Sequence, residues 1–204
     1  MKAINSYIVK PVGKRYNNSI DVDGKELIVN SSIEDHKYVN RLAEIISLPA
    51  FGETELEVGD IVLVHHNVFR RWYDVKGREK NSKSYFQDDK YFVQPDQVYA
   101  YNRHTNWSRF KERTWKPLEG YCFVQPFVEE LSMNRKIEHP NKGIVVYGNE
   151  EFNKGDVVSY TPFSQYEFVL EGKRLFRVQN KFITIKYEYQ GNEKVYNPSW
   201  AQSS

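Results

Sequence analysis

The chain is built from two copies of one design, and this constrains its fold more than any other feature. "VGDIVLV" at 58–64 returns as "KGDVVSY" at 154–160, with Gly59 and Gly155 96 positions apart. "YIVKP" at 7–11 returns as "CFVQP" at 122–126, 115 positions on, and "AEIIS" at 43–47 answers "GIVVY" at 143–147, 100 positions on. "YDVKGRE" at 73–79 pairs with "EFVLEGKR" at 167–174, which sets Gly77 against Gly172, 95 positions apart. The order is the same in both halves. The first copy is longer between its first two segments by about the length of one polar loop. Because the second copy keeps the scaffold without that loop, the loop is not expected to be needed for folding.

Each repeated segment reads as a strand. In "KFITIKY" (181–187), Phe182, Thr184 and Lys186 alternate with Ile183, Ile185 and Tyr187, a period of two. "YEFVLEGKRLFRV" (166–178) is a hairpin turning at Gly172. "GDIVLV" leaves a Gly-Asp turn as an unbroken apolar run, which fits a strand covered on both faces. No window sustains a long helical stripe between caps, so few helices are expected. The 15 Tyr and 12 Phe strengthen the β reading. The expected fold is all-β, two tandem small β-barrels. The first spans 1–101 with a long loop at about 12–40, and the second spans 118–190. A basic, aromatic linker at 102–117 joins them, and a tail at 191–204 follows.

Composition excludes several function classes. A net charge of +2 gives no general attraction to nucleic acid or anionic membranes. Cys122 is the one cysteine, so neither an intrachain disulfide nor a multi-cysteine metal cage is possible. No apolar run approaches the ~18 residues of a membrane span. "MKAINSYIVKPVGK" is too short and polar for a secretory signal. The expected location is the cytoplasm. His65 and His66 are an adjacent pair following a strand, neighbours on a strand point to opposite faces, and His36, His104 and His139 are scattered, so no metal site is expected. No Gly-x-Gly-x-x-Gly, phosphate-binding loop or nucleophile motif occurs. Cys122 lies inside an apolar strand as a packing residue. The chain is therefore expected to be no enzyme, to hold no cofactor and not to bind ATP.

The ordered segments resemble the GroES-type co-chaperonins, small β-barrels that assemble into a ring and cap an ATP-driven chaperonin chamber. The family's Val-Gly-Asp strand, its hairpin and its closing strand are similar to "VGDIVLV", "DVKGRE" and "FVQPDQVYAY" (92–101). In the second half they are similar to "KGDVVSY", "VLEGKR" and "FRVQNKFITIKY". The family's opening resembles "WKPLEGYCFVQP" (115–126) and, more loosely, "NSYIVKP" (5–11). Together these touch most of residues 5–190.

In that family a mobile loop between the first two strands carries an Ile-Val-Leu tripeptide that docks on the chaperonin rim. Leu27, Ile28 and Val29 hold that place here, inside "DGKELIVNSS". The resemblance therefore implies that they bind a GroEL-type chaperonin. It also implies self-assembly into a ring, ATP use by the partner alone, and an unfolded client inside the chamber. Lys25 and Glu26 stand where the family usually has Gly-Gly, which implies a stiffer or differently tuned loop. The roof segments, "SLPAFGETELE" (47–57) and "GNEEFN" (148–153), are short, as in phage-encoded members whose client is a capsid protein. Plastid members also join two copies, but there both halves carry a loop.

Two alternatives stay open on the residues themselves. Leu27, Ile28 and Val29 could form a strand packed on the protein's own barrel. The hairpin at 69–90, with seven Lys/Arg interleaved with Trp72, Tyr73 and Tyr85, could bind single-stranded nucleic acid together with Arg103, Trp107, Arg109, Lys111 and Arg113 of the linker. Otherwise it is a solvated hairpin with its aromatics folded onto the barrel.

Overall fold

The computed structural model describes residues 2–28, 35–103, 114–131, 135–188 and 194–202. The chain divides into two compact units, Met1–Thr114 and Trp115–Ser204. Unit 1 contains β1 (Tyr7–Pro11), β2 (Ser19–Val22), β3 (Lys25–Ile28), β4 (Leu42–Ser47), β5 (Ile61–Val64), β6 (Arg71–Tyr73), β7 (Glu79–Asn81), β8 (Tyr85–Gln87), β9 (Lys90–Val93) and β10 (Val98–Asn102). Unit 2 contains β11 (Lys116–Pro117), β12 (Tyr121–Leu131), β13 (Arg135–Tyr147), β14 (Val157–Tyr160), β15 (Tyr166–Leu170), β16 (Lys173–Gln179), β17 (Ile183–Tyr187), β18 (Lys194–Val195) and a single turn of α-helix, α1 (Ser199–Gln202). The fold is all-β.

The two units share one strand order. Unit 1 runs β8-β9-β1-β4-β5-β10 and unit 2 runs β15-β16-β12-β13-β14-β17, every neighbour antiparallel. The Gly-Asp turn is built the same way in both. Gly59 donates its N–H to the Ile45 carbonyl (2.8 Å) and Ile45 donates to the Asp60 carbonyl (3.0 Å). In unit 2, Gly155 donates to Val145 (2.8 Å) and Val145 to Asp156 (2.8 Å). In each turn the aspartate carboxylate also accepts the N–H three residues before it, that of Glu57 or Asn153, at 2.8 Å. Both glycines sit at positive φ, +93° and +95°, where a Cβ would be strained.

One expected correspondence changes. The hairpin of unit 2 that turns at Glu171–Gly172 pairs β15 with β16, and β16 lies beside β12. The equivalent strand beside β1 is β9, whose partner is β8. The counterpart of 166–178 is therefore 85–93, and the Gly77 hairpin, β6 with β7, is an addition unique to unit 1. The β8–β9 turn has no glycine. Asp88 and Asp89 take φ of +46° and +56°, the left-handed pair of a two-residue type I′ turn that aspartate tolerates. With this alignment, Val93-Gln94 matches Val178-Gln179. A 3-10 turn follows each, at Pro95–Gln97 and Asn180–Phe182, and leads into β10 and β17.

Every residue of β5 and β10 is buried, so neither strand shows the alternation of a one-sided sheet. In unit 2, Cys122, Val124, Val145, Val158, Tyr160, Phe176 and Val178 form one buried cluster with Phe152, Phe182 and Ile183 against it. The ladders are open: among the described residues no pairing joins β8 to β10 or β15 to β17. The tail contributes to unit 2. Val195 pairs with Phe127, Asn197 donates to the Gly172 carbonyl (2.7 Å) and accepts the Arg174 N–H (3.0 Å), and Ala201 is buried.

Candidate docking loop

The segment between β1 and β4 is a stalk carrying a hairpin. At its base Val12 donates to the Leu42 carbonyl (2.9 Å), Asn40 to Arg15 (3.0 Å) and Asn17 to Tyr38 (2.8 Å). Tyr16 and Val39 form an antiparallel bridge, and both are buried. Asn40, 3% exposed, spends its side chain on the crossing. Its Nδ2 donates to the carbonyls of Val12 (2.8 Å) and Lys14 (2.7 Å), and its Oδ1 accepts the Leu42 N–H (2.9 Å). The stalk is also tied to the segment after β5. Arg15 donates to the Phe69 carbonyl (2.5 Å), the Arg70 carbonyl (3.2 Å) and Asn81 Oδ1 (2.6 Å). The Tyr16 hydroxyl accepts the Arg71 N–H (2.7 Å), and the Arg71 guanidinium lies 4.7 Å from the Tyr16 ring centre.

Beyond that base, β2 and β3 pair in register from Ser19 opposite Ile28 to Val22 opposite Lys25. Asp23 and Gly24 make the turn at φ of +53° and +77°. Leu27 is 55% exposed and Ile28 64%, with Val22 on the partner strand also exposed. These side chains lie in a strand but do not enter the core, which argues against a strand packed on the protein's own sheet. Val29 lies outside the described residues. Unit 2 fills the equivalent place differently: β12 and β13 continue as a paired ribbon from Val128 opposite Glu138 to Leu131 opposite Arg135, and β18 pairs with β12 at 127–128. Arg174 braces this ribbon, donating to Glu138 (2.9 Å) and Glu167 (2.8 Å).

The remaining sequence candidates are placed as follows. His65 and His66 do not take opposite faces of a strand: His65 caps a 3-10 turn at His66–Val68, which brings their rings to 4.3 Å between centres, with His36 5.2 Å from His66. Burial pushes His66 down to about 3, aided by the neighbouring His65 and Arg41. Among the described residues no cluster of His, Cys, Asp and Glu could hold a metal ion. Cys122 is buried, and burial pushes its thiol up to about 12. Trp72 and Tyr73 are 45% and 48% exposed, whereas Tyr85, 39% exposed, lies in β8 and sets its ring edge-on to the buried Tyr91 at 5.5 Å. Trp107, Arg109, Lys111 and Arg113 lie outside the described residues. No described helix is long and apolar enough to cross a membrane. Sequence reasoning missed Arg15, Tyr16, Val39 and Asn40. The signal available was an isolated buried-type pair, Tyr16 and Val39, flanking a polar segment symmetrically.

No protein-family model matches the chain, and no curated protein matches it.

Proposed function

We propose that this protein is a co-chaperonin, a ring-forming cap whose first unit grips a GroEL-type chaperonin through Leu27, Ile28 and Val29. The observation that carries the reading is the exposure of Leu27 and Ile28 on a hairpin whose base is buried and hydrogen-bonded. A hairpin fixed at its base presents the exposed side chains of β3 while losing little further entropy on docking. Each aliphatic side chain seated in an apolar groove contributes roughly 1.5–3 kcal/mol before ordering costs. One hairpin alone binds weakly. Several on one ring act as a linked set, with gains of ~10²–10⁴, and release together when the partner's ATP cycle alters the groove.

The shared strand order of the two units, with β5 and β10 covered throughout, supports reading each unit as a GroES-like barrel. On this reading the chain neither catalyses a reaction nor carries a cofactor. The chaperonin hydrolyses the ATP, the site of action is the cytoplasm, and the client is an unfolded protein in the chamber, a capsid protein if the source is a phage. Unit 2, which has a braced ribbon in place of the hairpin, serves as ring framework. Co-sedimentation of the purified protein with a bacterial chaperonin, with and without ADP or ATP, tests the reading. Nucleotide-dependent capture supports it, and absence of capture by several bacterial chaperonins contradicts it.

A further inference from the structure

Unit 1 also holds a groove of about 610 Å³, lined by residues of the 66–97 segment and by the added β6–β7 hairpin. That volume falls within the ~300–1,000 Å³ of small-molecule sites. Its walls include Arg70, Lys83, Trp72, Ser84 and Asn67, and no carboxylate. We propose that this groove binds a nucleoside monophosphate unit, either as a free nucleotide or as one residue of a single strand.

The charge fits. Two side-chain cations line the groove; a free nucleotide's phosphate monoester carries about −1.5 to −2 near neutral pH, and a strand's diester carries about one charge per residue. A triphosphate would exceed them. Arg70 lines the groove, and its Nε is buried with no hydrogen-bond partner among the described residues. The Ser84 hydroxyl and the Asn67 amide add neutral donors along the same wall. The Ser82 hydroxyl does not, since its proton goes to the Val68 carbonyl (2.6 Å).

The aromatic wall fits the base. Trp72 is 45% exposed, and its indole N–H is pinned to the Asn81 carbonyl (3.2 Å). The ring is thereby fixed without being covered, and such a ring stacks any base. No glycine-rich loop is required, because side chains rather than backbone N–H groups meet the phosphate. The proposal is independent of chaperonin capture, since no β2–β3 residue lines the groove.

Calorimetric titration of the full chain with thymidine monophosphate, thymidine and a deoxythymidine hexamer tests this. Saturable binding of the monophosphate is expected, with thymidine at least about tenfold weaker. Arg70→Gln, Lys83→Gln and Trp72→Ala should each weaken it about tenfold or more, whereas Trp72→Phe should retain it. A hexamer binding no more tightly than the monophosphate assigns a free-nucleotide site. A hexamer more than about tenfold tighter, with affinity falling steeply in salt, assigns a strand. No saturable binding of either probe, or thymidine binding as well as its monophosphate, overturns the proposal. Should Arg70→Gln lower the melting temperature, Lys83→Gln decides, because Lys83 is exposed; unchanged affinity in that variant also overturns it.

Discussion

Tyr16 and Val39 face each other as an antiparallel bridge, both buried, at the root of a segment whose β2–β3 hairpin leaves Leu27 and Ile28 in solvent. The two parts of the segment thus have opposite environments: the root belongs to the core, the exposed side chains of the hairpin do not. Substitutions in the two parts should therefore separate stability from binding.

At the root, Asn40→Ala removes three side-chain hydrogen bonds and strands the Val12 and Lys14 carbonyls and the Leu42 N–H. Losing a buried partner costs about 1–3 kcal/mol per group left unpaired. The expected loss is about 2–4 kcal/mol overall, read from urea unfolding, because water reaches part of the site. Asn40→Asp should recover only the Leu42 bond.

The two Gly-Asp turns give a paired expectation. A Cβ at Gly59 or Gly155 would meet no atom within 4 Å, so alanine there adds backbone strain without a clash. Gly59→Ala and Gly155→Ala should each destabilise by roughly 1–2 kcal/mol. Similar values at the two sites in thermal unfolding would reflect the shared geometry.

Acid should weaken unit 1 through His66. Its folded pKa, about 3, lies below the ordinary histidine value of about 6.5, so the unfolded chain takes up the proton first. The stabilising contribution is complete above about pH 6.5 and is lost as pH falls from there towards 3. Replacing His66 by Gln should reduce the drop in melting temperature between pH 7 and pH 5 relative to the native chain.

Cys122 should be inert in the folded protein. Its thiol is buried and pushed up to about 12, which leaves almost no thiolate at pH 8. Modification by iodoacetamide is expected to be slower than in denaturant by roughly two orders of magnitude or more. Rapid modification under native conditions would contradict the packing described for β12.

The β class, the twofold internal repeat and the Gly-Asp turns were legible because each rests on local chemistry. Gly59 and Gly155 each need a positive φ, and the apolar runs that follow can only be covered strands. The wrong hairpin correspondence has an equally local origin. Gly77 is conspicuous in a sequence, whereas Asp88–Asp89 makes a tighter turn without glycine. The stalk was legible only as a loop, since the bonds that zip it join residues more than twenty positions apart and use Asn40, whose partners are backbone carbonyls. The exposure of Leu27 was suggested by its polar surroundings. The hairpin pairing of β2 with β3 was missed although "VDGK" carries the Asp-Gly signature of a two-residue turn.

The most direct test compares nucleotide-dependent co-sedimentation with a bacterial chaperonin for the native chain and for Leu27→Ser/Ile28→Ser/Val29→Ser. Since Leu27 and Ile28 are exposed, the variant should keep its circular dichroism spectrum and unfold within about 0.5 kcal/mol of the native chain, while capture is lost. A folded variant still captured as well as the native chain would contradict the docking role. A variant that unfolds would show that these residues belong to the protein's own core.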